Sequence, residues 1–145
     1  MKSKDLRLGN YVKFNGNISE VLEIRKNLIR PEYLMDDGKL LHRPLVEIDR
    51  IEPIELTEEW LLRFGFEKIE YSDERYGFGT EYHLKVNEDI FFNYSDDFSM
   101  GIFRNKESIK DEHGVLPEWE VTKYVNGLQN LYYSLIGEEI ILKEK

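Results

Sequence analysis

The residues of this chain that could do chemistry are three histidines and several adjacent carboxylate pairs. His42, His83 and His113 lie far apart, and none stands in an H-x-H or H-E-x-x-H arrangement that would bring two imidazoles onto one face around a metal. Among the carboxylate pairs are Asp36-Asp37, Asp73-Glu74, Asp96-Asp97 and Asp111-Glu112. Two carboxylates that converge can hold a divalent cation or share a proton. Sequence neighbours on a strand point to opposite faces, however, and these pairs fall where turns are expected, where Asp serves by bonding its own backbone. Asp96-Asp97 also lacks the spacing of a calcium loop.

Other catalytic patterns fail on similar grounds. Gly77-Phe78-Gly79 has no third glycine and no strand-to-helix setting, so it does not read as a phosphate cradle; a strand edge or bulge suits it better. There is no G-x-S-x-G, and no serine has an evident base partner in sequence. The chain has no cysteine, which removes disulfides, thiolate nucleophiles and zinc–thiolate sites together and fits a reducing compartment. The sequence thus points to no catalytic residue, no cofactor and no metal, and the expectation is a protein that is not an enzyme.

Charge says more. The net charge is −9 over 145 residues, and it is unevenly spread. Residues 1–50 hold 10 basic and 8 acidic groups, whereas residues 51–145 hold 10 basic and 21 acidic groups. An acidic surface repels nucleic-acid phosphates and suits a basic protein partner. The partner-binding candidates are Glu88, Asp89, Tyr94, Asp96, Asp97, Asp111 and Glu112. The alternative reading is a nucleic-acid-binding accessory protein using Lys2, Lys4, Arg7, Lys13, Arg25, Lys26 and Arg30. A third is a carboxylate and divalent-metal hydrolase. Phe91, Phe92, Tyr94, Phe98 and Phe103 crowd one region and could stack bases, but Phe91 and Phe92 face opposite sides of a strand and carboxylates surround them, so core packing is the better account.

The elements that must position these residues can be sketched from pattern. Residues 10–14 alternate as a half-buried strand, Asn15-Gly16 is a hairpin turn, and residues 18–24 return, with Ile18, Leu22 and Ile24 in one phase and Val21 out of it. A third strand over 28–34 contains Pro31, which makes it an edge or breaks it. Asp36-Asp37-Gly38 is a turn, and 40–41 and 45–48 are short strands. Residues 51–56 read as an extended connector. Thr57 caps a short helix that carries Glu58 and Glu59 in its first turn and Trp60, Leu61 and Phe64 on its apolar face; Gly65 ends it. Strands over 66–71, 81–86, 89–94 and 99–103 form a meander, followed by a polar loop over 105–116 and a short strand near 117–121. Residues 122–136 form the best helix, with Val125, Leu128, Leu131 or Tyr132, and Leu135 at helical spacing and Gly137 as its stop. Ile140-Ile141-Leu142 is expected to dock as a strand.

Three stretches together carry a resemblance: Leu6-Arg7-Leu8-Gly9-Asn10, the run from Pro53-Ile54-Glu55-Leu56-Thr57-Glu58-Glu59-Trp60 to Phe66, and Leu128-Gln129-Asn130-Leu131-Tyr132 with Gly137-Glu138-Glu139. The chain resembles a family of small uncharacterised proteins of bacteria and of their phages and mobile elements. Members carry a His-Gln pair where this chain has Asn126-Gly127. The resemblance implies a phage or mobile-element setting, with a host protein as the partner, and supplies no activity.

The expected fold is α+β: a small N-terminal antiparallel SH3-like β-unit over 1–55, then an α+β unit over 56–145 in which an antiparallel meander packs a C-terminal helix, the two sharing one core at most. No run approaches 18 apolar residues and Met1-Lys2-Ser3-Lys4 is not followed by an apolar run, so no membrane association and a cytoplasmic location are expected.

Overall fold

In a computed structural model of the chain, the described residues are 5–34, 40–41, 44–73, 77–103 and 122–143. They form ten strands in two antiparallel sheets and two α-helices, an α+β fold in which a small β-unit precedes a meander. The chain divides into two compact units. The first is Met1–Glu55 with Tyr124–Gly137, and the second is Leu56–Lys123 with Glu138–Lys145. The C-terminal helix does not stay with the meander: it belongs to the first unit.

The first unit is built on β1 (Tyr11–Phe14), β2 (Asn17–Arg25), β3 (Leu28–Leu34), β4 (Leu40–Leu41), β5 (Val46–Glu47) and β6 (Ile51–Glu52). Asn15 and Gly16 both have positive φ, as a two-residue hairpin with right-handed strand twist requires. Phe14 therefore faces Asn17 across the turn. β5 pairs with β3, and after a single 3-10 turn (Ile48–Arg50) β6 pairs with β1 on the other side of the sheet. So short a link between two edges forces the sheet to curl almost into a barrel. The segment expected to be a plain connector thus begins with a strand, Ile51–Glu52, because β1 offers it an open edge. Leu6, Val12, Phe14, Val21, Ile29, Val46, Ile48 and Ile51 fill the inside.

The phase of β2 needed correction. Val21 faces Pro31 and Glu23 faces Arg30, so Leu22 is an extra residue, a β-bulge. Ser19 and Val21 point inward before it and Ile24 after it, while Ile18 and Leu22 lie exposed. One inserted residue switches the buried parity, which is why Val21 looked out of step. The same geometry admits Pro31 inside a sheet. Val21 spends its own N–H on Asn10 and its carbonyl on Gly9, both toward β1. The nitrogen of Pro31 opposite it therefore faces away from β2, into the gap between the β5 pairing at Leu28–Ile29 and the β4 pairing at Tyr33–Leu34. No ladder bond needs the missing N–H.

Helix α2 (Val125–Ile136) joins this unit through Val125 N–H, which donates to Ile54 O, and through a bridge between Glu55 and Tyr124. Only its first turns are buried: Val125 and Leu128 are enclosed, whereas Leu135, expected on the same stripe, is exposed. Gly137 ends it in the left-handed conformation and donates to Tyr133 O. The buried face is polar as much as apolar. Gln129 accepts from Tyr11 N–H at 2.8 Å and donates to Gly9 O at 3.1 Å. Asn130 Oδ1 accepts from Asn10 Nδ2 at 2.9 Å and Arg7 Nε at 3.0 Å. Asn126 and Asn130 both donate to Asp5 O, and the Arg7 guanidinium lies 4.0 Å from the centre of the Tyr133 ring. Positions 126, 129, 130 and 133 are one helix face, so the spacing that looked like a motif is a stitch between helix and N-terminal arm.

The second unit holds α1 (Glu58–Arg63), β7 (Glu67–Asp73), β8 (Gly77–Lys85), β9 (Phe91–Ser95) and β10 (Met100–Phe103), with sheet order β10-β9-β8-β7. The Thr57 hydroxyl accepts from Trp60 N–H, and Gly65 takes φ +95° past the helix end. Trp60, Leu61 and Phe64 are buried with Phe66, Tyr82, Phe92, Tyr94 and Met100. Cross-strand pairing sets Tyr82, Tyr94 and Met100 in one row and Leu84, Phe92 and Ile102 in the next. The tail over 138–143 forms no strand; Ile140 is buried while Ile141 is exposed, and Lys143 N–H donates to Arg63 O. The strand expected near 117–121, the loop over 105–116 and the Asp36-Asp37-Gly38 turn lie outside the described residues. No described helix is long and apolar enough to cross a membrane.

Replacing Gln129 by alanine should lower stability by about 3 kcal/mol, because it strips partners from the Tyr11 N–H and the Gly9 carbonyl and leaves space behind. Urea denaturation followed by tryptophan-independent circular dichroism would show this as a lower midpoint, whereas an unchanged midpoint would exclude the stitch as a support of the first unit.

Candidate functional site

The partner-binding candidates fall on the second unit, and its hairpin turns decide where each one points. Asn87 Oδ1 accepts from the N–H groups of Asp89 and Ile90 at 2.8 and 2.9 Å, closing the turn from β8 to β9. Glu88 and Asp89 are thereby held outward; Glu88 meets Lys85 at 3.3 Å in an exposed pair, a contact of little energy in water. At the next turn Asp97 accepts from the Ser95 hydroxyl at 2.5 Å and from Ser99 N–H at 3.0 Å. Those donors hold the Asp97 carboxyl below its ordinary value, the Ser95 hydroxyl contributing most. Asp97 is thus a turn-former, and both it and Asp96 beside it are exposed.

Successive turns of a meander lie at opposite ends of the sheet. Glu88 and Asp89 are therefore separated from Asp96 and Asp97 by the length of β9, about 17 Å at ~3.4 Å per residue. The two pairs do not converge. Tyr94 does not belong with them: it is fully buried, packs edge-on against Phe66, and donates its hydroxyl to Thr122 O at 2.9 Å. Burial pushes its phenol far above the ordinary value. It is a core residue because its parity along β9 is that of Phe92. Asp111 and Glu112 lie outside the described residues, as do His42 and His113. Among the described residues no three His, Cys, Asp or Glu side chains are close enough to hold a metal ion.

Sequence reading missed two features that cross-strand register creates. Gly65, Glu67, Ile69, His83, Leu84, Lys85, Phe91 and Lys143 line a concavity of about 470 Å³, to which the sheet face opposite Tyr82 and Tyr94 contributes Glu67, Ile69, His83, Lys85 and Phe91. His83 faces Glu67 on β7 and Asn93 on β9, and its Nε2 lies 2.9 Å from Glu81. The only sequence signal was the i, i+2 spacing of Glu81 and His83 on one strand face. The lining offers charges of both signs around Ile69 and Phe91, and it contains no hydroxyl or thiol nucleophile. The second is the edge of the sheet beside a shallower hollow formed by Glu70, Tyr71, Gly79, Thr80 and Asp96. Here Tyr71 lies across Gly79, where a Cβ would meet the ring at 2.2 Å, so the glycine is required by this close approach.

A small ionic cluster anchors α1 to the sheet. Glu58 accepts from Lys68 at 2.7 Å and from the Tyr82 hydroxyl at 3.0 Å. The Lys68 ammonium is the main cause that lowers the Glu58 carboxyl, and Glu58 in turn raises Lys68. Three of the basic residues expected to serve nucleic acid are engaged within the first unit. Arg25 and Arg30 both reach Glu23, at 2.5 and 2.9 Å, and Arg7 is committed to Asn130 and Tyr133. Lys2 and Lys4 lie outside the described residues.

Two outcomes are expected. Replacing Tyr94 by phenylalanine should cost about 1 kcal/mol through the lost hydrogen bond, read as a lower denaturation midpoint with native circular dichroism. Replacing Asp97 by alanine should remove a pH-dependent contribution. With a folded value below the ordinary 3.8, this carboxylate contributes fully above that value and loses its contribution as pH falls through the lowered one. The variant's stability deficit should therefore shrink in acid, and a deficit independent of pH from 7 down to about 2 would refute the assignment. No family model, curated protein or solved structure matches the chain.

Proposed function

We propose that the protein is a non-enzymatic protein-binding module whose acidic second unit engages a basic partner. In the phage or mobile-element setting of the resemblance, that partner is a host protein that the module inhibits. The supporting observation is the distribution of carboxylates on the second unit. Glu67, Glu70, Glu88, Asp89 and Asp96 are all exposed, and they spread along one sheet edge and to both ends of the sheet instead of converging on one point. Spread charge raises the encounter rate with an oppositely charged surface and favours it over anionic partners. A convergent pair, by contrast, is what general acid–base or metal chemistry needs. Glu23 offsets part of the positive charge of Arg25 and Arg30 that nucleic-acid binding would use.

The test is affinity purification of the tagged chain from bacterial lysate at two salt concentrations, alongside a variant carrying Glu88→Lys, Asp89→Lys and Asp96→Lys. A basic protein retained at low salt, weakened at higher salt and lost from the variant is the expected result. Recovery of the same proteins by the wild type and the charge-reversed variant would overturn the proposal, as would recovery of none.

A further inference from the structure

Strand β7 is the outer strand of the second sheet. Among the described residues its far edge has no strand neighbour, so alternate N–H and C=O groups along Glu67–Asp73 have no strand partner among those residues on that side. Such an edge is a template for another chain, and proteins usually blunt it with a bulge, a proline, a row of lysines or a very short strand. β7 has few of these protections. It runs for seven residues, contains no proline, and keeps an unbroken register with β8 from Glu67↔His83 to Asp73↔Gly77. Its one lysine, Lys68, is drawn onto Glu58 at 2.7 Å, with Glu70 at 3.6 Å. Glu67, Lys68, Glu70, Tyr71 and Ser72 are exposed.

The charges on this edge choose its occupant. Glu67 and Glu70 differ in parity, so an added strand meets a carboxylate on each face. A second copy of the chain is a poor fit in the register that pairs the whole strand. Antiparallel self-pairing centred on Glu70 would set Glu70 opposite Glu70 and Glu67 opposite Asp73, and like charges directly opposite are destabilising. An extended segment with lysine or arginine on both faces turns each of these repulsions into an attraction.

We propose that β7 is a docking edge that accepts an extended, basic segment of a partner protein by strand addition. Main-chain hydrogen bonds to the free edge supply the pairing, and Glu67 and Glu70 select for positive charge. The inference rests on the protein-binding reading and specifies how the partner is held.

The experiment uses the full chain, labelled with ¹⁵N, and a blocked peptide that repeats Lys-Lys-Val-Val, which puts lysine on both faces of the strand, at low salt. Binding should slow amide exchange at every second residue of 67–73 by on the order of tenfold or more. A peptide N-methylated on one set of alternate residues should lose binding, while one methylated on the other set should keep it, because only one edge of the incoming strand is used. The variant carrying Glu67→Lys and Glu70→Lys should keep its spectrum and lose the peptide. Equal binding of both methylated peptides, or changes confined to Glu88, Asp89, Asp96 and Asp97, would overturn strand addition while leaving the acidic surface as the binding face. Failure of the peptide to bind, or slowed exchange in β7 that depends on protein concentration alone, would also overturn it.

Discussion

The first unit depends on a hydrogen-bond exchange between two parts of the chain that are some 120 residues apart in sequence. β6 is only two residues long and pairs with β1 at Lys13 and Phe14, so the start of β1 would present bare backbone to a buried setting. Gln129 supplies what a longer strand would have supplied, an acceptor for Tyr11 N–H and a donor for Gly9 O. A carboxamide can do this because it carries both a donor and an acceptor on one rigid plane. Leaving either backbone group orphaned would cost about 1–3 kcal/mol. Asn10, Asn126 and Asn130 extend the exchange to the arm at Asp5 and Arg7. The result is a buried polar layer with Asn10 and Gln129 almost wholly enclosed, and such layers specify one arrangement of helix on sheet more sharply than apolar packing does.

The same exchange gives a structural role to the N-terminal and helical stretches. Leu6-Arg7-Leu8-Gly9-Asn10 and Gln129-Asn130 are two sides of one interface. Their residue types follow from the backbone groups they must satisfy. The middle stretch explains itself similarly: Thr57 caps, Trp60, Leu61 and Phe64 pack, Gly65 turns, and Ile54 offers the carbonyl that takes Val125 N–H. Structural demand accounts for these positions without any chemistry.

The second unit is organised differently. Its core is aromatic, and its polar face and ends are open. Asp97 and Asn87 spend their side chains on turns, while Asp96, Glu88 and Asp89 are held outward by those same turns. Charge here is a property of a surface, and this is the setting in which long-range attraction matters more than any single ion pair.

Local signals decided much of the chain unaided. Asn15-Gly16 had to turn because both positions tolerate positive φ; Thr57 and Gly65 bracketed a helix by capping physics; Gly137 stopped another. The acidic bias was also plain from composition. Tertiary structure decided what no local pattern encodes. Leu22 becomes a bulge only because β3 pairs on both sides of it, and that reverses the buried face. Tyr94 leaves the candidate surface because its strand neighbours Phe92 and Met100 face the same interior. Val125–Ile136 joins the N-terminal unit instead of the meander because Asn10, Gly9 and Tyr11 need partners that only its polar face supplies. Register across strands, which depends on pairings distant in sequence, brings Glu67, Glu81 and His83 onto one face and separates Glu88 and Asp89 from Asp96 and Asp97.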